Sequence, residues 1–181
     1  MKKILALILA VAMLCGVCSA FAEAANKDVI VYDDSLSFAF TYPEGYTATA
    51  TVEDGILTNM IMPADATAPG FAMVIAADNA LDEYNTLNEV DDETKATFAA
   101  AIAEDLNNAT WEVRTTGLGT ELIVIDEQDA DYDMVIVACL YHGYVLAMYV
   151  GNADGSEVSA EAVDTAVQIY TDLEFVNTLA E

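Results

Sequence analysis

Residues 134–150 constrain the fold more than any other stretch of this chain. Met134–Tyr141 and Tyr144–Val150 are apolar runs separated by His142-Gly143, a pair that tolerates the positive φ of a two-residue hairpin turn. That turn sets the register. Tyr141 then faces Tyr144, Cys139 faces Leu146 and Val137 faces Met148 on one side of the sheet. Leu140 with Val145, Ala138 with Ala147, and Ile136 with Tyr149 occupy the other side. Both sides are apolar, so the hairpin belongs at the centre of a sheet with both faces covered.

Two segments can supply the covers. Asp91 and Asp92 precede Phe98, Ile102 and Leu106, which recur every four residues, and Asn107-Asn108 can end that helix. A second helix starts near Ser159 and carries a stripe of Val163, Ala166, Val167, Tyr170 and Leu173. The remaining elements read as strands. Phe38, Phe40 and Tyr42 alternate with Ser37, Ala39 and Thr41, a half-buried strand ending in a hairpin loop at Pro43-Glu44-Gly45. Tyr46–Glu53 alternates threonine with alanine and reads as an edge strand. Asp54-Gly55 then turns the chain into Ile56–Met62, and Phe71–Ala77 follows as a further apolar run. Trp111, Val113 and Thr115 alternate with polar residues, and Leu122–Ile125 is apolar on both faces. The fold class expected is α+β: a single domain with an antiparallel sheet sandwiched by one main helix on each face, α/β/α.

The first 22 residues have the three parts of an export signal. Lys2-Lys3 is a positive start, Ile4–Leu14 an apolar core, and Ala20-Phe21-Ala22 a small-residue cleavage site before Glu23. Eleven apolar residues fall short of the roughly 20 that span a bilayer. The expected organisation is a signal peptide over 1–22, a lead-in over 23–33 and one domain over 34–181. The expected location is secreted or extracytoplasmic, without membrane insertion once the signal is removed. An uncleaved anchor and a lipoprotein at Cys15 or Cys18 are the alternatives. The residues before those cysteines lack the usual small-residue approach.

Cleavage would leave Lys27, Lys95 and Arg114 against 31 acids, a formal charge of −28. Nucleic acid and anionic lipid both need a basic surface, so neither is an expected partner. Cationic partners, divalent metals and simple solubility fit. Cys139 would be the one cysteine left, which excludes an internal disulfide and reads as a small buried hydrophobe.

Chemistry-bearing motifs are few. Asp129, Asp131 and Asp133 share the alternate spacing that opens a calcium loop, but Met134 stands where the loop needs glycine and Leu140 where it needs glutamate. An EF-hand is excluded. An irregular calcium site and a solvated acidic hairpin are the two readings of that stretch. Asp91-Asp92-Glu93 reads as helix capping, and His142, the only histidine, as a turn residue. Asn108-Ala109-Thr110 matches a glycosylation sequon. No nucleophile elbow, zinc helix, phosphate loop or dinucleotide fingerprint is present.

The order of elements, opened by Tyr42-Pro43-Glu44-Gly45-Tyr46 and closed by a helix running into Leu173-Glu174-Phe175, resembles the PsbP-like family of exported α/β/α domains. The resemblance implies a binding or assembly module and carries over no functional residue. The functional expectation is therefore a secreted, acidic, non-enzymatic module with a protein or cell-envelope partner and no cofactor. The alternatives are an extracellular hydrolase using paired carboxylates, or a weak calcium-binding domain. Intact-mass measurement of the exported protein should show a chain beginning at Glu23. A mass retaining Ile4–Leu14 would make this an anchored protein instead.

Overall fold

The register proposed for residues 134–150 recurs pair for pair in the computed structural model, which describes residues 27–33, 36–65, 67–77, 81, 83–104, 106–128 and 133–177. Ten strands and two helices are seen: β1 (Lys27–Val31), β2 (Leu36–Thr41), β3 (Tyr46–Glu53), β4 (Ile56–Pro63), β5 (Gly70–Ala77), α1 (Asp92–Ile102), β6 (Thr110–Thr115), β7 (Glu121–Gln128), β8 (Asp133–Tyr141), β9 (Tyr144–Gly151), α2 (Ala160–Thr171) and β10 (Glu174–Asn177). Seven strands form an antiparallel sheet in the order β3-β4-β5-β9-β8-β7-β6. The β8–β9 hairpin is inside it, and His142 (φ +46°) with Gly143 (φ +80°) makes the turn. Two consecutive positive φ angles make this a type I′ turn, so this histidine serves the backbone. Asp54 (φ +51°) and Gly55 (φ +75°) turn β3 into β4 in the same way.

Alternation along the strands then divides the core. Val137, Cys139, Leu146 and Met148 pack with Val163, Ala166 and Tyr170 of α2. Ile136, Ala138 and Ala147 pack with Leu87, Phe98 and Ala99 on the opposite side. The expected α/β/α arrangement is present, one helix on each face.

A second sheet accompanies it. β2 pairs with β1 and β10 in a three-stranded sheet, so the Phe38 strand does not form a hairpin with Tyr46–Glu53. Phe38 and Phe40 enter the core on the α2 side, and Ser37 and Ala39 behind them are buried too. The strand is therefore buried on both faces rather than half-buried. Alternation misled here because serine and alanine are small enough to sit in the middle of a three-stranded sheet without contact with water. The Pro43-Glu44-Gly45 turn has its left-handed glycine (φ +85°), but it carries the chain between sheets instead of closing a hairpin. β1 also corrects the lead-in: Lys27–Val31 is a strand paired with β2. The apolar stripe predicts a helix reaching Leu173; α2 ends at Thr171, and the segment it runs into is β10.

Each helix starts where a side chain caps it. Asp91 Oδ1 accepts the Thr94 N–H at 2.8 Å, and Ser159 Oγ accepts the Ala162 N–H at 3.2 Å. α1 ends at Ile102, a turn before Asn107-Asn108. Glu127 on β7 explains the early end: its Oε1 accepts the Asn107 N–H at 2.9 Å and draws the chain toward the sheet. Asn108 then takes φ +53° on the way into β6. The scarce lysine at 95 is buried and pairs with Glu121 Oε2 at 2.5 Å, fastening α1 to the start of β7.

One core position is conspicuously polar. Asn59 lies on the α2-side face of β4 between Leu57 and Ile61, is fully buried, and neither side-chain atom has a hydrogen-bond partner. A buried amide left unpaired costs about 1–3 kcal/mol. Asn59→Leu, which keeps the shape and removes both polar atoms, should raise the unfolding free energy by about 1 kcal/mol or more, read from urea denaturation. A fall would mean that the amide is satisfied in solution.

Candidate functional site

The sheet edge beside the start of α2 carries an open groove of about 400 Å³. Strand alternation builds one wall. Glu112 lies opposite Val124, and Thr110 opposite Asp126, so these residues share the α2-side face of β6 and β7. Asp126 in turn lies beside Val135 of β8. The other wall is the loop before α2 with Glu157 and Val158, together with Val163 of the first helical turns. The result is a floor of valines under a rim of four carboxylates: Glu112, Asp126, Asp133 and Glu157.

The rim is held by specific bonds. Asp133 Oδ2 accepts the Val158 N–H at 2.6 Å, and the Asp133 N–H reaches Gly155 O at 3.3 Å, so the start of β8 fixes the loop before α2. Asn152 Nδ2 donates to the carbonyls of Ser156 (3.2 Å) and Glu157 (2.9 Å) within that loop. Asp154 accepts the Ser156 N–H at 3.0 Å, and its bonds to the side chain and backbone of Ser156 hold its carboxyl below the usual range. One cation crosses the groove. Arg114 Nε donates to Glu112 Oε1 at 2.6 Å, and a terminal guanidinium nitrogen lies 3.7 Å from Asp164 on α2.

The sequence-derived candidates fare differently. Asp133 is at this groove and is engaged by Val158, whereas Asp129 and Asp131 lie outside the described residues. Among the described residues no group of three or more histidine, cysteine or acidic side chains is placed to hold a metal. The groove itself was not legible in advance. Glu112 and Glu157 are far apart in sequence, and only the β6–β7 pairing and the course of the loop into α2 bring them together.

His142 is exposed at its turn. Its backbone N–H donates to Asn85 O at 2.9 Å, its Nδ1 lies 2.6 Å from Asn85 Oδ1, and Gly143 N–H reaches Tyr84 O. The histidine fastens the segment before α1 to the central hairpin. Trp111 and Val113 of β6 are 43% and 41% exposed, because this strand is the sheet's edge.

A smaller pocket of about 190 Å³ lies at the other end of α2, where Leu122, Leu146 and Tyr170 surround Cys139. The cysteine is buried as expected, and burial pushes its thiol from 9.0 up to about 12. Tyr170 donates its hydroxyl to Val137 O at 3.0 Å, and burial raises its pKa as well. An unfolded chain would ionise Cys139 near 9.0 while the folded chain keeps the proton. This contribution to stability is complete below pH 9 and lost as the pH rises toward 12. Urea midpoints should therefore fall less steeply over that window in Cys139→Ala than in the wild type. Equal slopes would show that the thiol is solvated in the native state.

No protein-family model matches the chain, and no curated protein does. Among solved structures, the fold is similar to that of cyanobacterial PsbP (CyanoP) from Synechocystis sp. PCC 6803. That likeness spans 90% of this chain and 99% of the other, at 13% identity and a TM-score of 0.46.

Proposed function

We propose that this protein is an exported, non-enzymatic binding module that holds a cationic, apolar-sided segment of a protein or cell-envelope partner in the β6–α2 groove. The observation that carries the reading is the pairing of a valine floor with a carboxylate rim at one open surface. Apolar floor and charged rim are the two halves of a peptide-recognition surface: burial of side chains supplies affinity, and charge supplies orientation and encounter rate. The rim supports holding rather than turnover. Asp133 is bonded to the Val158 backbone, so that carboxylate already has a fixed structural role. Export is supported by the basic, apolar and A-x-A segments of residues 2–22.

Arg114 sets the chemistry of entry. It occupies a position on the rim that an incoming lysine or arginine would take, next to Glu112 and Asp164. Binding therefore exchanges one cation for another, and the chain's large negative charge steers the newcomer.

The probe is a short extended peptide of alternating lysine and leucine, with a glutamate–leucine peptide as control. Backbone amide shifts should move at Val124, Val135 and Val158 with the lysine peptide alone, and the affinity should fall as salt is added. Glu112→Gln combined with Asp126→Asn should weaken binding by about tenfold, and Arg114→Ala should strengthen it severalfold. No binding at low salt, or shifts clustered away from the groove, would defeat the reading.

A further inference from the structure

The two edges of the seven-stranded sheet are built differently, and the difference points to a second copy of this chain. β6, at one edge, carries Glu112 and Arg114, charges that discourage strand addition. β3, at the other, is eight residues long and has one charge, Glu53, at its end. It contains no lysine, proline or glycine, and Thr47, Thr49, Ala50, Thr51 and Val52 are exposed. No strand among the described residues pairs with its outer side.

The backbone of that edge is open. In a two-residue hairpin the flanking residues, here Glu53 and Ile56, exchange both ladder bonds. Thr47, Thr49 and Thr51 therefore bond toward β4, and Ala48, Ala50 and Val52 point their N–H and C=O outward. The sequence at this edge is a palindrome: Thr47-Ala48-Thr49-Ala50-Thr51 reads the same in both directions about Thr49. A two-fold interface requires such self-complementarity, since each surface element must meet its own counterpart.

We propose that β3 pairs with β3 of a second copy, antiparallel about Thr49, to give a continuous sheet across a two-fold dimer. In that register Ala48 of each copy faces Ala50 of the other in hydrogen-bonded pairs. Thr49 faces its own counterpart in a non-hydrogen-bonded pair, and Thr47 faces Thr51. Cross-strand threonine pairs are favourable, and both copies of Glu53 fall outside the paired segment. The charge argument selects the same strand. Two chains of formal charge −26, or −28 once residues 1–22 are removed, can approach only where acids are sparse, and this edge has one acid in eight residues. A single strand pair is a small contact, so the dimer is reversible and concentration-dependent.

Sedimentation velocity of the exported chain tests this. The dimer fraction should rise with protein concentration and with sodium chloride, because the screening length shrinks from ~30 Å at 0.01 M to ~3 Å at 1 M. That salt dependence is opposite to the one expected for a cationic ligand in the groove, so the two readings fail separately. Ala50→Pro removes an outward N–H without touching the β4 ladder and should leave a monomer. Thr49→Cys should cross-link to itself under mild oxidation, since non-hydrogen-bonded pairs bring Cα atoms to about 4.5 Å, within disulfide range. It should do so faster than Leu118→Cys, an exposed site on the β6–β7 loop. If Ala50→Pro fails to fold, the Thr49→Cys comparison decides. A chain monomeric in high salt, a dimer indifferent to Ala50→Pro, or cross-linking no faster at Thr49 than at Leu118 would each overturn the proposal.

Discussion

The rest of the structure depends on the fixed register of β8 against β9. A slip of one residue would exchange Val137, Cys139, Leu146 and Met148 with Ile136, Ala138, Ala147 and Tyr149 and present each helix with the wrong surface. The two sides differ in relief. Toward α1 the hairpin offers the Ala138–Ala147 pair, where Leu87, Phe98 and Ala99 pack into the space the alanines leave. Toward α2 it offers larger side chains that meet the small residues Ala162 and Ala166 of the helix. His142 and Gly143 hold this register through the two consecutive positive φ angles of a type I′ turn, and Asn85 clasps the turn from outside.

With so little positive charge available, its placement is informative. Lys95 joins α1 to β7 through Glu121, and Arg114 joins β6 to Asp164 on α2. Each helix is thus tied by one cation to the same end of the sheet, which among the described residues has no strand beyond β6 to hold it. The two ties differ in strength for a physical reason. Lys95 and its partner are largely shielded from water, whereas Arg114 is well exposed and its pairing is screened by solvent and salt. The buried tie suits a permanent attachment, and the exposed one suits a side chain that can be displaced at the groove.

The legible parts of the fold were those specified locally. The turns at Asp54-Gly55 and His142-Gly143, the caps at Asp91 and Ser159, and the two-sided hairpin each depend on residues close in sequence. The misread parts depend on partners far away. Phe38–Tyr42 has the alternation of a half-exposed strand, yet β1 and β10, drawn from opposite ends of the described chain, flank β2 and shield Ser37 and Ala39. α1 stops early because Glu127, twenty residues on, captures the Asn107 N–H. The groove was hidden for the same reason, since its rim is assembled from β6, β7, β8 and the loop before α2. Periodicity shows which face of an element is apolar; it does not show which element comes to lie there.

The small sheet packs on the same side of the large sheet as α2, the side on which Asn59 is polar in an otherwise apolar layer. β1, β2 and β10 are short, and β2 alone contributes the large buried rings Phe38 and Phe40 to the α2-side core. Tyr32, Phe38 and Tyr144 meet edge-to-face with centroids 5.4–6.1 Å apart, which anchors one end of this layer on the central hairpin. Tyr32 also donates its hydroxyl to Gly55 O, reaching the β3–β4 turn. Directional contacts at the margins fix where the small sheet sits, while Asn59 in the large sheet and Ser37 in the small one leave polar atoms unpaired in the interior. The aromatic contacts fix position, while the unpaired amide on the core-facing side of β4 costs stability. That makes the small sheet, closed by strands from both ends of the described chain, the layer that should loosen first while the seven-stranded sheet keeps its register.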